Sequence, residues 1–409
     1  MADDLGNVSS VPEHVPPELV VDVDFFDVPG VEDDPHAAWM KIRDAAPRVF
    51  YTPRNGGHWI VTRSDDVEEV LRDYERFTSY ASIPEGLVTE PYPNPPVGVD
   101  PPDHGPYRQI LLPAFSPRAI NDMEAYVRSL TIELIEAFLE KGRCEFVDDF
   151  AQRMPIGVFL RFMGLPDSDR LRLLGYVNAR MRAETEAKRF EGHRLLVEYA
   201  LEKVRDRRKN PTEGLLSRVA NGLIDGEPIQ ESKAVAMSVI LLLAGLDTVV
   251  NTFGFIAQFL ATHPEHRGRL TRHPEHVPQA AEEFLRRFPV PCISRRARVD
   301  QEFRGVRMRA GDGVLTIIAL TGLDDTKFAE PLKVDFDRET KPLPNFGMGP
   351  HRCVGSHLAR LEIRVFLEEW LKRIPDFSLD PADPPVGIGG NVIGMGRLPL
   401  VWAAAGRAH

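Results

Sequence analysis

A chain of 409 residues with a net charge of −11, 43% hydrophobic and 27% charged residues has the make-up of a globular protein, not a disordered one. Its acidity argues against general nucleic-acid binding. Three cysteines, Cys144, Cys292 and Cys353, supply neither a disulfide framework nor zinc-finger spacing, which suits a reducing cytoplasm.

The opening residues, MADDLGNVSSVPEHVPPELV, are acidic and polar, so neither a signal peptide nor a membrane anchor is expected. Residues 1–34 read as an extended, proline-broken lead-in. Trp39, Ile42 and Ala46 have helical spacing within residues 36–46. RVFYTPRNGGHWIVTR follows as two short strands, with Asn55-Gly56-Gly57 supplying a positive-φ turn. Ser64, ahead of acidic residues and an apolar periodicity, reads as the cap of the next helix. The proline-rich stretch 84–102 is long for an irregular segment and is assigned to covering a pocket.

Helices are then expected over 103–113, 117–141, 149–163, 167–182, 186–208, 212–220, 230–261, 264–271 and 277–287. The most apolar of them, Ala234 to Ala261, contains Asp247, Asn251 and Gln258, which are costly in lipid, so it reads as a buried core helix and not as a span. Residues 303–324 mix short strands and a helical start, and NVIGMGRLPLVW reads as strand and turn. No fixed-period repeat occurs.

Ten residues near the C-terminus, FGMGPHRCVG, have neither strand alternation nor a helical stripe. Gly347 and Gly349 allow a tight turn that other residues resist. Such a turn can aim backbone N–H groups at the Cys353 sulfur, just ahead of an amphipathic helix over 354–374. The positive end of that helix favours thiolate. One thiolate with N–H donors is what a haem iron needs from its proximal side for oxygen–oxygen cleavage.

The spacing Phe346-x-x-Gly349-x-His351-x-Cys353-x-Gly355 resembles the haem-binding signature of the cytochrome P450 family. The resemblance extends over essentially the whole chain. It implies a mainly α fold with small β-sheets (α+β), forming one catalytic domain over residues 1–409 although size alone favours two. In that fold haem b lies between a long distal helix and the cysteine loop. Cys353 is then the axial ligand of the iron, with Phe346 and Gly347 in the cofactor loop.

Ala244-Gly245-Leu246-Asp247-Thr248 places an acid and a hydroxyl within an apolar helix. Thr248 bonding back to the carbonyl four residues earlier would explain the hydroxyl without any function. The family resemblance implies more: Ala244 and Gly245 leave room for dioxygen, while Asp247 and Thr248 deliver the protons its cleavage needs. Glu283 and Arg286 resemble the family's structural E-x-x-R motif, with Arg338 as a third member, although Glu282 and Arg286 could equally form an exposed i,i+4 pair. Haem propionates need cationic or donor partners. The resemblance assigns them His104, Arg108, Arg295 and His351.

NGGHWI, GLDTVVN, GLDDTKFAEPLKVDF and LPLVW resemble the camphor-hydroxylase subfamily more closely still. That alignment places Tyr92, Ile83, Val97, Ile240, Leu243, Pro291, Asn391 and Val392 against substrate. Two departures stand out. Residues 90–100 are unusually rich in proline, and Asn391 brings an amide into an otherwise aliphatic segment. The expected enzyme is a cytoplasmic, monomeric, O2-dependent monooxygenase acting on a small apolar terpenoid or norisoprenoid, camphor- or ionone-like. Electrons would come from NAD(P)H through a reductase and a separate 2Fe–2S ferredoxin, docked by Arg108, Arg352, Arg360 and Arg364. A peroxide-driven peroxygenase or a haem sensor are the rival readings. The acid–alcohol pair argues against both.

Overall fold

The computed structural model describes residues 8–80, 94–182, 185–245, 247–339 and 343–403. Asp34 opens the first long helix, Pro35–Ala45: its carboxylate accepts from the His36 and Ala37 N–H groups at 3.0 Å, and Pro35 occupies the first turn, where no N–H is needed. Strands Val49–Thr52 and His58–Val61 then form the expected hairpin. Asn55, Gly56 and Gly57 all have positive φ, at 54°, 89° and 77°.

Ser64 does not cap its helix. Ser64–Arg72 is preceded by Arg63, with no side-chain cap, and the buried Ser64 hydroxyl has no partner among the described residues. The Ser64 N–H instead donates to the Asp324 carboxylate at 3.0 Å. A distant acid has taken the role that the local letters suggested for serine.

Strand His58–Val61 pairs in parallel with Gly313–Ile317, which pairs antiparallel with Cys292–Ala297, and Phe77–Thr78 completes a five-stranded sheet. Around it packs a small core of Trp59, Phe77, Phe303 and Met308. The remainder is mainly helical, as expected, with one three-stranded and three two-stranded sheets among the described residues, and some helices are divided. The 117–141 segment forms Pro117–Asn121 and Glu124–Leu139, and a π-helical turn, Val147–Ala151, precedes Arg153–Met163. The helix expected from 212 begins only at Leu215. Gly214, at φ 120°, is outside the helical region and lies against Gly164, where a Cβ would approach within 2.8 Å.

Two helices frame the site. The apolar segment is described as Glu231–Ala244 and Asp247–Thr262, and Ser356–Arg373 follows the cysteine loop. Of its most apolar window 65% is buried in the protein, which fits a core helix. The two sides are joined by an aromatic cluster: Phe253 lies 4.9 Å from Phe366, Phe150 5.4 Å from Phe366, and Phe146 5.0 Å from Trp370. Burying such rings supplies several kcal/mol of apolar stabilisation, on the order of 1.5–3 kcal/mol each. The cysteine helix is also tied to Glu124–Leu139 by ion pairs: Arg128 with Glu124 and Glu368 at 2.8 and 2.6 Å, Arg364 with Glu124 at 2.6 Å.

The lead-in is no loose tail where it is described. Val21 N–H donates to the Tyr51 carbonyl at 2.8 Å, and Phe25 and Val28 are buried. Phe25 also accepts from the Gly390 N–H at 3.0 Å, bracing the loop that carries Asn391.

Candidate active site

The cysteine loop is built from glycine conformations. Pro344–Phe346 makes one tight turn, ended by Gly347 at φ 71°, and Gly349, at φ 64°, starts a second. A Cβ on Gly349 would also press on the Arg72 backbone at 3.2 Å. Cys353 N–H donates to the Phe346 carbonyl at 2.8 Å, so the loop closes on itself just before the helix Ser356–Arg373.

Cys353 presents accessible surface, yet enough protein surrounds its sulfur to make desolvation the dominant influence. Burial pushes the thiol above its ordinary value, while the Gly355 N–H and the charges of Arg108, Arg360 and Arg352 pull it down. A bound cation would add to the influences that favour the thiolate.

On the opposite side, the core helix is buried over 234–239 and 249–257. Between these stretches Ile240, Leu243, Ala244, Asp247 and Thr248 are all less buried, at spacings of i, i+3, i+4, i+7 and i+8. They form one helical stripe that no neighbouring element among the described residues covers fully. Thr248 Oγ1 donates to the Ala244 carbonyl at 3.2 Å, and Asn251 Nδ2 donates to the Asp247 carbonyl at 2.9 Å. The back-bond expected of a non-functional threonine is present, but it uses only the hydroxyl proton and leaves the oxygen able to accept.

Gly245 is placed differently from its expected role. A Cβ on it would stand 2.9 Å from a Phe159 ring carbon, so its small size admits Phe159. Of the two small residues, only Ala244 lies on the accessible stripe.

The four expected propionate partners converge from three separate parts of the chain. The rings of His104 and His351 are 4.5 Å apart, and Arg295 is buried on strand Cys292–Ala297. Arg108 donates to the Arg352 carbonyl, next to Cys353. Burial, then the neighbouring charges of His351 and Arg108, pull His104 down to about 4. Burial likewise brings Arg295 down to about 10.

At their centre is a residue that sequence reasoning missed, Asp100. Its carboxylate is buried, accepts from the Ser79 N–H at 3.0 Å and Arg298 Nη2 at 2.9 Å, and lies 3.3 Å from His351 Nε2. The available signal was its position four residues before His104, whose N–H donates to the Asp100 carbonyl at 3.1 Å. Among the described residues His104 Nε2 is buried with no partner. An orphaned imidazole nitrogen beside the Arg108 guanidinium asks for anions, and the Cys353 sulfur lies close to the same arginine. These residues fit a haem with two carboxylates.

The E-x-x-R reading is resolved in favour of Glu283. It pairs with Arg286 through two 2.7 Å bonds, with both side chains buried. Arg286 donates onward to the carbonyls of Gly322, Pro331 and Lys333 at 2.6–2.9 Å. Arg338 reaches Glu283 at 3.3 Å. Glu282 instead binds Arg360 of the cysteine helix. Two of the four expected docking arginines, Arg360 and Arg364, thus already hold carboxylates of this chain.

The expected substrate contacts divide. Tyr92 and Ile83 lie outside the described residues. Val97 is exposed, and Ile240 and Leu243 lie on the stripe. Pro291 and Val392 face each other in an isolated antiparallel bridge, and Cys292 N–H donates to the Asn391 carbonyl at 2.8 Å. Asn391 Oδ1 is buried without a partner among the described residues.

A family model described as Cytochrome P450 matches residues 168–388. The chain is 37% identical to "Probable cytochrome P450 127A1" of Sinorhizobium fredii over 402 residues, covering 96% of this chain and 97% of that protein. It is 30% identical to the "Mycinamicin IV hydroxylase/epoxidase" of Micromonospora griseorubida, covering 84% and 89%. Two solved structures, CYP101J2 and CYP101C1, superpose with TM-scores of 0.89 at 35% and 36% identity, each covering 97% of this chain and all of the other.

Proposed function

Because the chain belongs to the cytochrome P450 family, we propose that it is a cytoplasmic, ferredoxin-dependent monooxygenase that hydroxylates a small, mainly apolar terpenoid or norisoprenoid. The observation that carries this reading is the stripe Ile240, Leu243, Ala244, Asp247 and Thr248, apolar at one end and carrying an acid and a hydroxyl at the other.

Haem, when bound, supplies reductive cleavage of dioxygen, pushed by its thiolate ligand. Cys353 would hold the iron, and His104, Arg108, Arg295 and His351 would hold the carboxylates. Thr248, its proton engaged by the Ala244 carbonyl, offers its oxygen as an acceptor and can pass a proton inward. Asp247, one residue earlier and partly accessible, is placed to replenish that proton from solvent. Ile240 and Leu243 exclude water from the apolar end. Asn391, whose buried carbonyl oxygen has no partner among the described residues, favours a substrate carrying one oxygen function over a pure hydrocarbon.

The electron source is a separate protein, because no flavin or iron–sulfur motif occurs in the sequence. Arg108 and Arg352, next to the cysteine, suit an acidic ferredoxin.

The test is titration of camphor, an ionone and a matched hydrocarbon into ferric protein while following the haem absorption band. Turnover is then compared with NADH, reductase and ferredoxin, or with hydrogen peroxide alone. Binding of the ketones by wild type, weakened selectively in Tyr92→Phe or Asn391→Ala, identifies the polar anchor. Absence of any spectral response to the terpenoids overturns the substrate class, and turnover by peroxide alone overturns the ferredoxin dependence.

A further inference from the structure

Asp100 has no part in the reaction outlined above, yet it is the carboxylate around which the anion-binding residues are arranged. Its side chain is 4% exposed. Oδ2 accepts from Thr78 Oγ1 and from Arg298 Nη2 at 2.9 Å, while Oδ1 accepts from the Ser79 N–H at 3.0 Å and faces His351 Nε2 at 3.3 Å. These partners come from strand Phe77–Thr78 and its end, from the segment after Cys292–Ala297 and from the cysteine loop. Burial raises the cost of its charge. The nearby His351 ring, 3.3 Å away, and the bonds from Thr78 and Ser79 outweigh that cost and hold the carboxyl well below the usual range, so it is ionised.

A permanent buried negative charge beside a site for two further carboxylates needs a reason. As an anchor alone, a neutral amide or hydroxyl would satisfy Thr78 and Ser79 without desolvating a charge. What only a charge does is hold His351 and offset the positive potential of Arg295, on which it acts electrostatically. An anion in this layer also stabilises the more positive, ferric state of a nearby haem.

We propose that Asp100 is a positioning residue of the haem site, one that fixes His351 and Arg295 and whose negative charge lowers the reduction potential of the bound haem. The proposal rests on the haem-thiolate reading above.

The experiment is spectroelectrochemical titration of the haem-loaded wild type, Asp100→Asn and Arg298→Gln, each first checked for the carbon-monoxide spectrum of a thiolate-bound haem. Asp100→Asn removes the charge and nearly keeps the shape. Its ferrous-to-ferric ratio at a fixed potential should rise about tenfold, equivalent to about 59 mV for a one-electron couple. Arg298→Gln leaves Asp100 less neutralised and should move the potential the other way, by less, because Arg298 is 44% exposed. Asp100→Asn with haem bound and an unchanged potential overturns the proposal, because a purely structural anchor would give that result. Should Asp100→Asn fail to hold haem, Arg298→Gln decides: a downward shift supports the proposal and no shift overturns it. A wild type without the thiolate spectrum would instead overturn the haem-thiolate reading beneath it.

Discussion

Asn251 and Gly394 meet so closely that no methyl fits between them: a Cβ on Gly394 would stand 1.8 Å from Asn251 Oδ1 and 2.1 Å from its Cγ. The same amide donates to the Asp247 carbonyl at 2.9 Å. Asn251 therefore joins the strand that follows Asn391 and Val392 to the first turn of the helix carrying Asp247 and Thr248. Gly394→Ala should destabilise the protein by about 1–3 kcal/mol through overpacking. In urea unfolding, combining it with Asn251→Ala should recover part of that loss. Strict additivity of the two substitutions would show that the contact is not the cause.

Glu282 and Glu283 are adjacent and should behave very differently. Glu283→Gln leaves the buried Arg286 charge without its partner, a loss of roughly 3–5 kcal/mol. Glu282 pairs with Arg360 where both side chains are about a third exposed, so Glu282→Gln should cost less than about 1 kcal/mol. Chemical denaturation of both variants checks this. Equal losses would contradict the difference in burial.

Thr248→Ala should retain haem and substrate binding but waste electrons, since the oxygen that can accept and pass on a proton is gone. Product and hydrogen peroxide are to be counted per NADH consumed. The expected result is less product and more peroxide; an unchanged ratio removes Thr248 from proton delivery.

Cys353→His should bind haem, if at all, without the long-wavelength carbon-monoxide band of a thiolate complex. The loop geometry around Phe346 and Gly347 is set by backbone bonds that do not involve the sulfur, so the fold should persist by circular dichroism. Retention of the wild-type band would mean that another residue ligates the iron.

Two buried histidines outside the site set an acid limit. Burial pulls His58 down to about 3 and His36, with a contribution from Arg287, to about 4, from an ordinary 6.5. Below pH 6.5 the unfolded chain therefore takes up protons that the folded one refuses. Stability is full above that pH and falls as pH drops toward 4, by up to about 1.4 kcal/mol per unit for each group. His58→Phe should flatten the fall, because neither ring nitrogen has a partner to lose among the described residues and the edge contact with Phe25 suits a phenyl ring. Melting temperatures of both proteins between pH 7 and 4.5 test it. Parallel curves would rule His58 out.

What the sequence determined by itself was chemistry carried in short stretches. The Cys353 loop was legible because Gly347 and Gly349 take conformations that few other residues take, and the Asn55-Gly56-Gly57 turn was legible for the same reason. Asp247 and Thr248 stood out as polar residues within an apolar period. Each of these signals is local, fixed by φ preferences or by helical spacing, and needs no knowledge of what packs nearby. The tertiary structure alone decided which of two neighbouring glutamates holds Arg286, that Gly245 makes room for Phe159, that Asp324 and not Ser64 satisfies a helix start 260 residues away, and that Asp100 stands among His351, Arg295 and Arg298. These outcomes depend on burial, which makes an unpartnered charge costly and a close contact unforgiving. Burial is created only when segments far apart in the chain pack together.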